Sequence, residues 1–278
     1  MHQHPSPTAA LSAAARAAHL EVDTAPHVMT DPLAVRLLDE LGTAALGYQR
    51  AHPAEPVLVG ARASTVLRAR YAEDRLAASA AAQAVVLGVG LDTTALRAPA
   101  GRTWFEVDRA AVLAWRAGLV ARAGLTPAAD IRAVAVDLGT QPLVPALVAA
   151  GLDPAAPAFL TWLGVTMYLD ETAARAALTE LAALVPGTEV VLDHILPRAL
   201  RDDAGQAYAA GVAAAAGAAG EPWRWTPGPD ELRAVLAETG WEVLDARRDR
   251  DAVGPQEWRR SDHLRPMGLV GLVHARSV

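Results

Sequence analysis

Apolar residues along this chain change rhythm near residue 80. Before it the spacing is helical. Residues 8–20 are Ala-rich; residues 31–41 open with Asp31-Pro32, an N-cap followed by proline at the first helical position, and then carry Leu33, Leu37, Leu38 and Leu41; residues 61–80 carry Val66, Leu67, Tyr71 and Leu76 among arginines and acids. After it come short, mainly apolar runs: Ala84–Leu87 ending at Gly88, Trp104–Val107 after Gly101, Ile131–Val136 ending at Asp137, Ala158–Leu163 ending at Gly164, and Glu189–Leu192 ending at Asp193. Helical stretches alternate with them, over Arg109–Arg122 and Glu171–Val185. Runs that do not alternate with polar residues suit strands buried on both faces, so the pattern predicts an α/β fold with a parallel sheet covered on both sides. An Ala-rich segment over 197–220, a helix over Pro229–Thr239 and two late strands, Trp241–Ala246 and Leu269–His274, complete the chain.

Composition narrows the chemistry. The 278 residues include 64 alanines and 25 arginines, and no cysteine, lysine or asparagine. Without cysteine, disulfides, thiolate nucleophiles and cysteine-bound zinc are excluded. Without lysine, a pyridoxal Schiff base, a P-loop lysine and a kinase strand lysine are excluded. The net charge of −6 argues against a general nucleic-acid binder. Residues 1–20 lack the apolar core of a signal peptide, and no run of about 18 strongly apolar residues suits a membrane span, so a cytoplasmic chain with no membrane partner is expected. Length and the absence of a linker suggest a single domain over 1–278. No pattern speaks to the oligomeric state.

In an open parallel sheet, ligands bind beyond the carboxyl ends of the strands. There stand Gly88-Val89-Gly90-Leu91-Asp92-Thr93, Glu106 and Asp108, Asp137, and Asp193. The two glycines allow close backbone approach, and Asp92 or Thr93 can cap the next helix. A dinucleotide fingerprint wants glycine where Thr93 stands, and Asp92 repels a phosphate; both argue against a nicotinamide oxidoreductase. Acids at successive strand ends suit ribose hydroxyls, an adenine amino group and a cationic ligand. S-adenosyl-L-methionine is a nucleoside with a sulfonium and no phosphate, and it meets all three.

These residues also resemble a family. Val86-Leu87-Gly88-Val89-Gly90-Leu91-Asp92-Thr93, Phe105-Glu106-Val107-Asp108, Val136-Asp137-Leu138 and Trp162-Leu163-Gly164-Val165-Thr166-Met167-Tyr168-Leu169 are similar to the leucine carboxyl methyltransferase-like group, which includes bacterial polyketide carboxyl O-methyltransferases. Arg68-Ala69-Arg70-Tyr71 with Glu73-Asp74 resembles its upstream arginine motif, and Gly220-Glu221-Pro222-Trp223 and Leu264-Arg265-Pro266 resemble its later elements. The resemblance implies a class I methyltransferase fold, a Rossmann-like seven-stranded and mostly parallel sheet with a helical cap, here formed by residues 1–80 and 195–230. It implies S-adenosyl-L-methionine as cofactor, with Gly88 and Gly90 lining it, Asp92 of the same turn among the binding residues, Asp108 at the ribose, Asp137 and Leu138 at adenine, and Arg68 or Arg70 at the carboxylate. Eukaryotic protein-carboxyl members have an acid where Leu163 stands. The cofactor's amino end is therefore expected to be held differently, by backbone near Gly164.

Other roles stay open on the sequence. Asp108 and Asp137 also suit helix caps, and Arg68 and Arg70 suit an ion-pair face with Glu73 and Asp74. Tyr168 reads as packing or as part of the acceptor pocket. His194 reads as a satisfied loop residue or as a catalytic base. Trp223 and Trp225 read as core or as pocket wall, and Arg224 and Arg265 as surface pairs or as binders of a substrate carboxylate. The expected activity is O-methylation of a carboxylate on a small molecule, natural product or peptide C-terminus. The alternatives are a hydroxyl or phenol acceptor with His194 or Asp193 as base, and a metabolite binder without turnover.

Overall fold

The computed structural model describes residues 7–42, 44–218 and 222–278, and the side chains of all of these except 213–218. Gly220 and Glu221 of the Gly-Glu-Pro-Trp stretch lie outside the described residues. Four helices open the chain: α1 (Pro7–Val22), α2 (Pro32–Leu41), α3 (Ala44–Ala51) and α4 (Pro56–Ala78). The α/β part follows as β1 (Gln83–Leu87), α5 (Thr94–Arg97), β2 (Thr103–Asp108), α6 (Ala110–Arg122), β3 (Asp130–Ala135), α7 (Val144–Ala149), β4 (Ala158–Trp162), α8 (Glu171–Ala182) and β5 (Glu189–Ile195). Then come α9 (Asp203–Ala218), α10 (Pro229–Glu238), β6 (Trp241–Arg248) and β7 (Val270–Ser277).

The seven strands form one sheet in the order β3-β2-β1-β4-β5-β7-β6. β1 to β5 are parallel, and β7 runs antiparallel between β5 and β6. Side chains alternate between faces with the period of two that a strand imposes. Val85, Leu87, Leu160, Trp162, Val190 and Leu192 pack with α7, α8 and α10 on one face. Ala84, Val86, Trp104, Phe159, Val191 and Ile195 pack with α4, α6 and α9 on the other. Both faces are covered, so β1 and β4 are buried at every residue, which is why the sequence shows runs there rather than alternation.

α1, α2 and α3 form their own apolar cluster with Leu91 and Leu119, beside the turn after β1. Asp31 caps α2 by accepting from Ala34 N at 3.1 Å, as the Asp-Pro pair predicts. A buried network joins α1 to α4: Arg62 donates to Asp23 at 3.0 and 3.2 Å, to Gln49 Oε1 at 2.9 Å and to Pro53 O at 2.6 Å. His19 links the same Asp23 (Nδ1 to Oδ2, 2.9 Å) to the Val28 amide, which donates to Nε2 at 3.0 Å. No described helix is long and apolar enough to cross a membrane.

Two short helices, α3 and α7, are not predicted by the sequence pattern, and α5 is foreshadowed only as the helix that Asp92 or Thr93 would cap. One boundary matters more. β5 does not stop at Leu192 but runs to Ile195, because β7 pairs with Asp193, His194 and Ile195. Two residues expected just beyond a strand are therefore inside one, and they point to opposite faces of the sheet.

Candidate functional site

The strand order reverses between β1 and β4, which makes the carboxyl ends of those strands the switch point of the sheet. The turn after β1 is held against β2, with Gly88 N and Val89 N both donating to Val107 O, at 2.9 and 3.0 Å. Gly88 has φ +69°, a region open to glycine at little cost, and Val165 from the β4 loop packs so closely on it that a Cβ there would collide with Cγ2. Two arginines that the sequence reading passed over fix the loop from behind. Arg16 of α1 donates to Leu91 O at 2.6 Å and to Asp31 at 2.8 Å. Arg116 of α6 grips Glu106 through two bonds of 2.7 and 2.5 Å and reaches Gly90 O at 3.4 Å. Glu106, one of the acids noted at the strand ends, is thereby a buried structural partner rather than an open carboxylate.

Asp108 at the end of β2 accepts from Gly90 N at 2.9 Å and from Arg109 N at 2.8 Å. The cap reading and the ligand reading are thus compatible, since each carboxylate oxygen keeps a second lone pair. Burial pushes the Asp108 carboxyl up, against the two backbone donors that pull it down. β3 stays in register beside it, with Val136 N donating to Asp108 O at 3.0 Å, so Asp137 emerges at the next strand end. Asp137 is exposed and closes its own turn by accepting from Gly139 N at 3.1 Å; Leu138 is half-buried against the first core cluster. Asp92 accepts from Thr94 N at 2.7 Å, closing a turn just ahead of α5, whose N-cap is Thr93; its carboxylate stays at the end of the glycine loop.

The two arginines of the α4 motif separate. Arg70 pairs with Asp74 at 2.7 Å and donates to Val28 O at 3.0 Å, both on the outer surface of α4. Glu73 is taken by Arg97 at 2.5 Å. Arg68 instead reaches the switch point. Its guanidinium lies against Gly164, where a Cβ would fall 2.7 Å from Nη2, and it faces Asp193 Oδ2 at 3.4 Å and Ser12 Oγ at 3.4 Å. Gly164, with φ +71°, tolerates that approach, and its amide donates to Asp193 Oδ1 at 2.6 Å.

His194 corrects the expectation of a base. It points to the α10 face, away from Asp193, Arg68 and the glycine loop. Its Nδ1 bonds Pro227 O at 3.0 Å, and its Nε2 packs on Gly271 of β7 so tightly that no Cβ fits there. Burial lowers its pKa to about 4, so it stays neutral near pH 7. The physical reason is the extension of β5 by β7, which turns an expected loop residue into a core strand residue.

Tyr168 ends a 3₁₀ turn over Thr166–Tyr168 and packs with Leu163, Tyr208 and Trp223 against the second core cluster. The 223–225 stretch docks on that turn, with Arg224 N donating to Met167 O at 2.7 Å. The two tryptophans divide: Trp225 is core, and Trp223 stays half-buried with the Arg201 guanidinium 5.7 Å above its ring. Arg224 is exposed, and Arg265 donates to Asp262 O and Leu264 O at 2.7 Å each. Tyr208 of α9 was not legible in an Ala-rich run; it nests on Gly60 of α4, and burial pushes its phenol up to about 12. A lone aromatic in an Ala-rich helix was the available signal.

Side chains reach over the strand ends, among them Arg68 and Ala9 of α1, whose Cβ lies 3.1 Å from a Cβ position on Gly90. Two surface grooves lie elsewhere, one of about 220 Å³ between Arg70 and Gln256, the other of about 380 Å³ between Leu33 and Leu125. Neither is lined by a strand-end residue. The glycines and charges converge instead at the sheet's switch point.

The sheet order and the glycine cradle define a class I methyltransferase fold. Two solved structures share it: a DUF574 family protein from Streptomyces avermitilis MA-4680 (TM-score 0.59, 17% identity, 95% of this chain and 97% of that one) and a provisionally named methyltransferase from Thermobifida fusca YX (TM-score 0.56, 16% identity, 99% of each chain). The leucine carboxyl methyltransferase family model matches residues 9–182, and the chain belongs to that family. A relative from Mycolicibacterium paratuberculosis (strain ATCC BAA-968 / K-10) is 37% identical over 199 residues, 66% of this chain and 62% of its own length. One from Mycolicibacterium smegmatis (strain ATCC 700084 / mc(2)155) is 38% identical over 146 residues, 50% of this chain and 49% of its own. Both bear the provisional name S-adenosyl-L-methionine-dependent methyltransferase, and this chain spans less than two thirds of the length of either. The donor set fits that cofactor: a glycine cradle without a phosphate site, carboxylates at the second and third strand ends, and an arginine beside Gly164.

Proposed function

We propose that this protein is an S-adenosyl-L-methionine-dependent O-methyltransferase whose acceptor is a carboxylate on a small molecule, natural product or peptide C-terminus. When bound, the cofactor supplies a methyl group on a sulfonium, open to in-line displacement. Gly88 and Gly90 would floor the nucleoside, Asp108 would accept from the ribose hydroxyls, Asp137 and Leu138 would meet adenine, and Arg68 would pair with the tail carboxylate. Tyr168, Tyr208 and Trp223 would wall the acceptor side, with Arg201 supplying positive charge near Trp223.

The observation that carries the choice of acceptor is the state of the basic groups. His194 faces the opposite side of the sheet with Nδ1 committed to Pro227 O, and Asp193 accepts from Gly164 N at 2.6 Å and faces the Arg68 cation at 3.4 Å. Tyr208 stays a phenol, a proton donor rather than a base. A carboxylate is already ionised at neutral pH and needs no proton removed. Catalysis then rests on alignment in a water-poor pocket, which a rigid cradle supplies. A hydroxyl acceptor would need a base, and of the two candidates only Asp193 lies on the switch-point side of the sheet.

The test is incubation with methyl-labelled S-adenosyl-L-methionine and a panel of organic acids and C-terminal peptides. The expected product releases label on mild base, as a methyl ester does. Base-stable label would move the reading to a hydroxyl acceptor, and tight cofactor binding without turnover on any acid would favour a metabolite sensor.

A further inference from the structure

Resting on the cofactor reading above, we propose that Asp193 receives the ammonium of the cofactor's amino-acid tail, and that Arg68 and Asp193 act together as a receptor for that zwitterion. The tail carries two opposite charges on one carbon, so its site needs a cation and an anion side by side. Leu163, at the end of β4, offers no anion; it packs with the apolar side chains of the α4 face. Asp193 lies one strand over on that same face, 2.6 Å from the amide of the residue after Leu163.

Asp193 is paired far more sparsely than Glu106, Asp23 and Asp31, a trait it shares with its neighbour Asp249, whose Oδ2 has no hydrogen-bond partner. Glu106 is held by two short bonds from Arg116, Asp23 by Arg62 twice and by His19, and Asp31 by Arg16 at 2.8 Å. Asp193 is fully buried, yet its carboxylate has only neutral backbone donors, the Gly164 amide at 2.6 Å and its own amide, and one arginine contact of 3.4 Å. That is sparse compensation for a carboxylate out of water. Burial accordingly pushes its pKa up, and it also pushes nearby Asp249 well above the ordinary range, helped by the charges of Asp251 and Asp193. Arg68 is held as loosely, at 3.4 Å from both Asp193 and Ser12. Two opposite charges that face each other at long range, at the switch point and against the bare backbone of Gly164, can exchange one loose pair for two close ones. The tail carboxylate would go to Arg68 and the ammonium to Asp193.

Calorimetric titration of the full chain tests this with three ligands: S-adenosylhomocysteine, its desamino analogue, and 5′-methylthioadenosine, which lacks the tail. Loss of the amino group should weaken binding to the unmodified protein by about 10- to 100-fold, the range of one charged hydrogen bond. In Asp193→Asn that discrimination should vanish, while 5′-methylthioadenosine binds both proteins alike. Equal affinity of the unmodified protein for S-adenosylhomocysteine and the desamino analogue overturns the assignment, and needs no variant that folds. So does an Asp193→Asn protein that loses 5′-methylthioadenosine in equal measure, since Asp193 would then only hold the Gly164 loop. If the unmodified protein binds none of the three, the cofactor reading itself fails, and this assignment with it.

Discussion

Acid should destabilise this protein in part through His194. Its imidazole is buried with Nδ1–H donating to Pro227 O, and a second proton would have to sit at Nε2, against the backbone of Gly271. Burial therefore holds its pKa at about 4 in the native state, against 6.5 for the free side chain. Between those values the unfolded chain binds a proton that the native chain refuses. The contribution to stability is complete above about pH 6.5 and is lost as pH falls toward 4. A shift of about 2.5 units at 1.36 kcal/mol each is about 3 kcal/mol in full, and about 2.5 kcal/mol by pH 4.5. Against a typical total of about 5–15 kcal/mol, that is large enough to measure. The assay is urea denaturation at pH 7 and pH 4.5 for the native sequence and for His194→Asn, whose amide can still donate to Pro227 but does not titrate in this range. The variant should start less stable, because its side chain is smaller. It should then lose about 2.5 kcal/mol less on acidification. Equal losses would refute the buried neutral imidazole and restore His194 as a candidate base.

The arginine pair gives a sharper binding test: Arg68→Ala should weaken S-adenosylhomocysteine by about 10-fold or more in calorimetry, and Arg70→Ala should leave it unchanged, because only Arg68 reaches Gly164. Asp108→Asn should weaken 5′-methylthioadenosine by about 10-fold or more, since the amide cannot both accept from Gly90 N and Arg109 N and receive two ribose hydroxyls; unchanged affinity would separate β2 from the nucleoside site. Arg62→Met should lower stability by about 3–5 kcal/mol in urea, because it leaves Asp23 buried without its cation; a loss under about 1 kcal/mol would mean that the α1–α4 network adds little.

Local pattern was sufficient for most of the architecture. A strand buried on both faces must be apolar throughout, a helix must repeat near 3.6, and glycines and acids gather where strands end; all three marks are written in adjacent residues. That is why β1 and β4 are readable as runs, with the Gly88–Gly90 turn, Asp108 and Asp137 at strand ends; β3, at the sheet edge and largely exposed, shows as a run broken by Arg132. Short helices such as α5 carry too few residues to show a period. What the chain alone left undecided depended on neighbours far along it. β7 extends β5 by three residues, and this sends Asp193 to the α4 face and His194 to the α10 face. Arg68 and Arg70 are two residues apart on one helix, about 200° around it, so only packing could assign one to Gly164 and the other to the surface. Arg16 and Arg116 look like any helix arginines until α1 and α6 fold against the turn after β1. Sequence fixes which groups are available and which elements carry them. Direction, burial and charge pairing belong to contacts between segments that only the folded chain brings together.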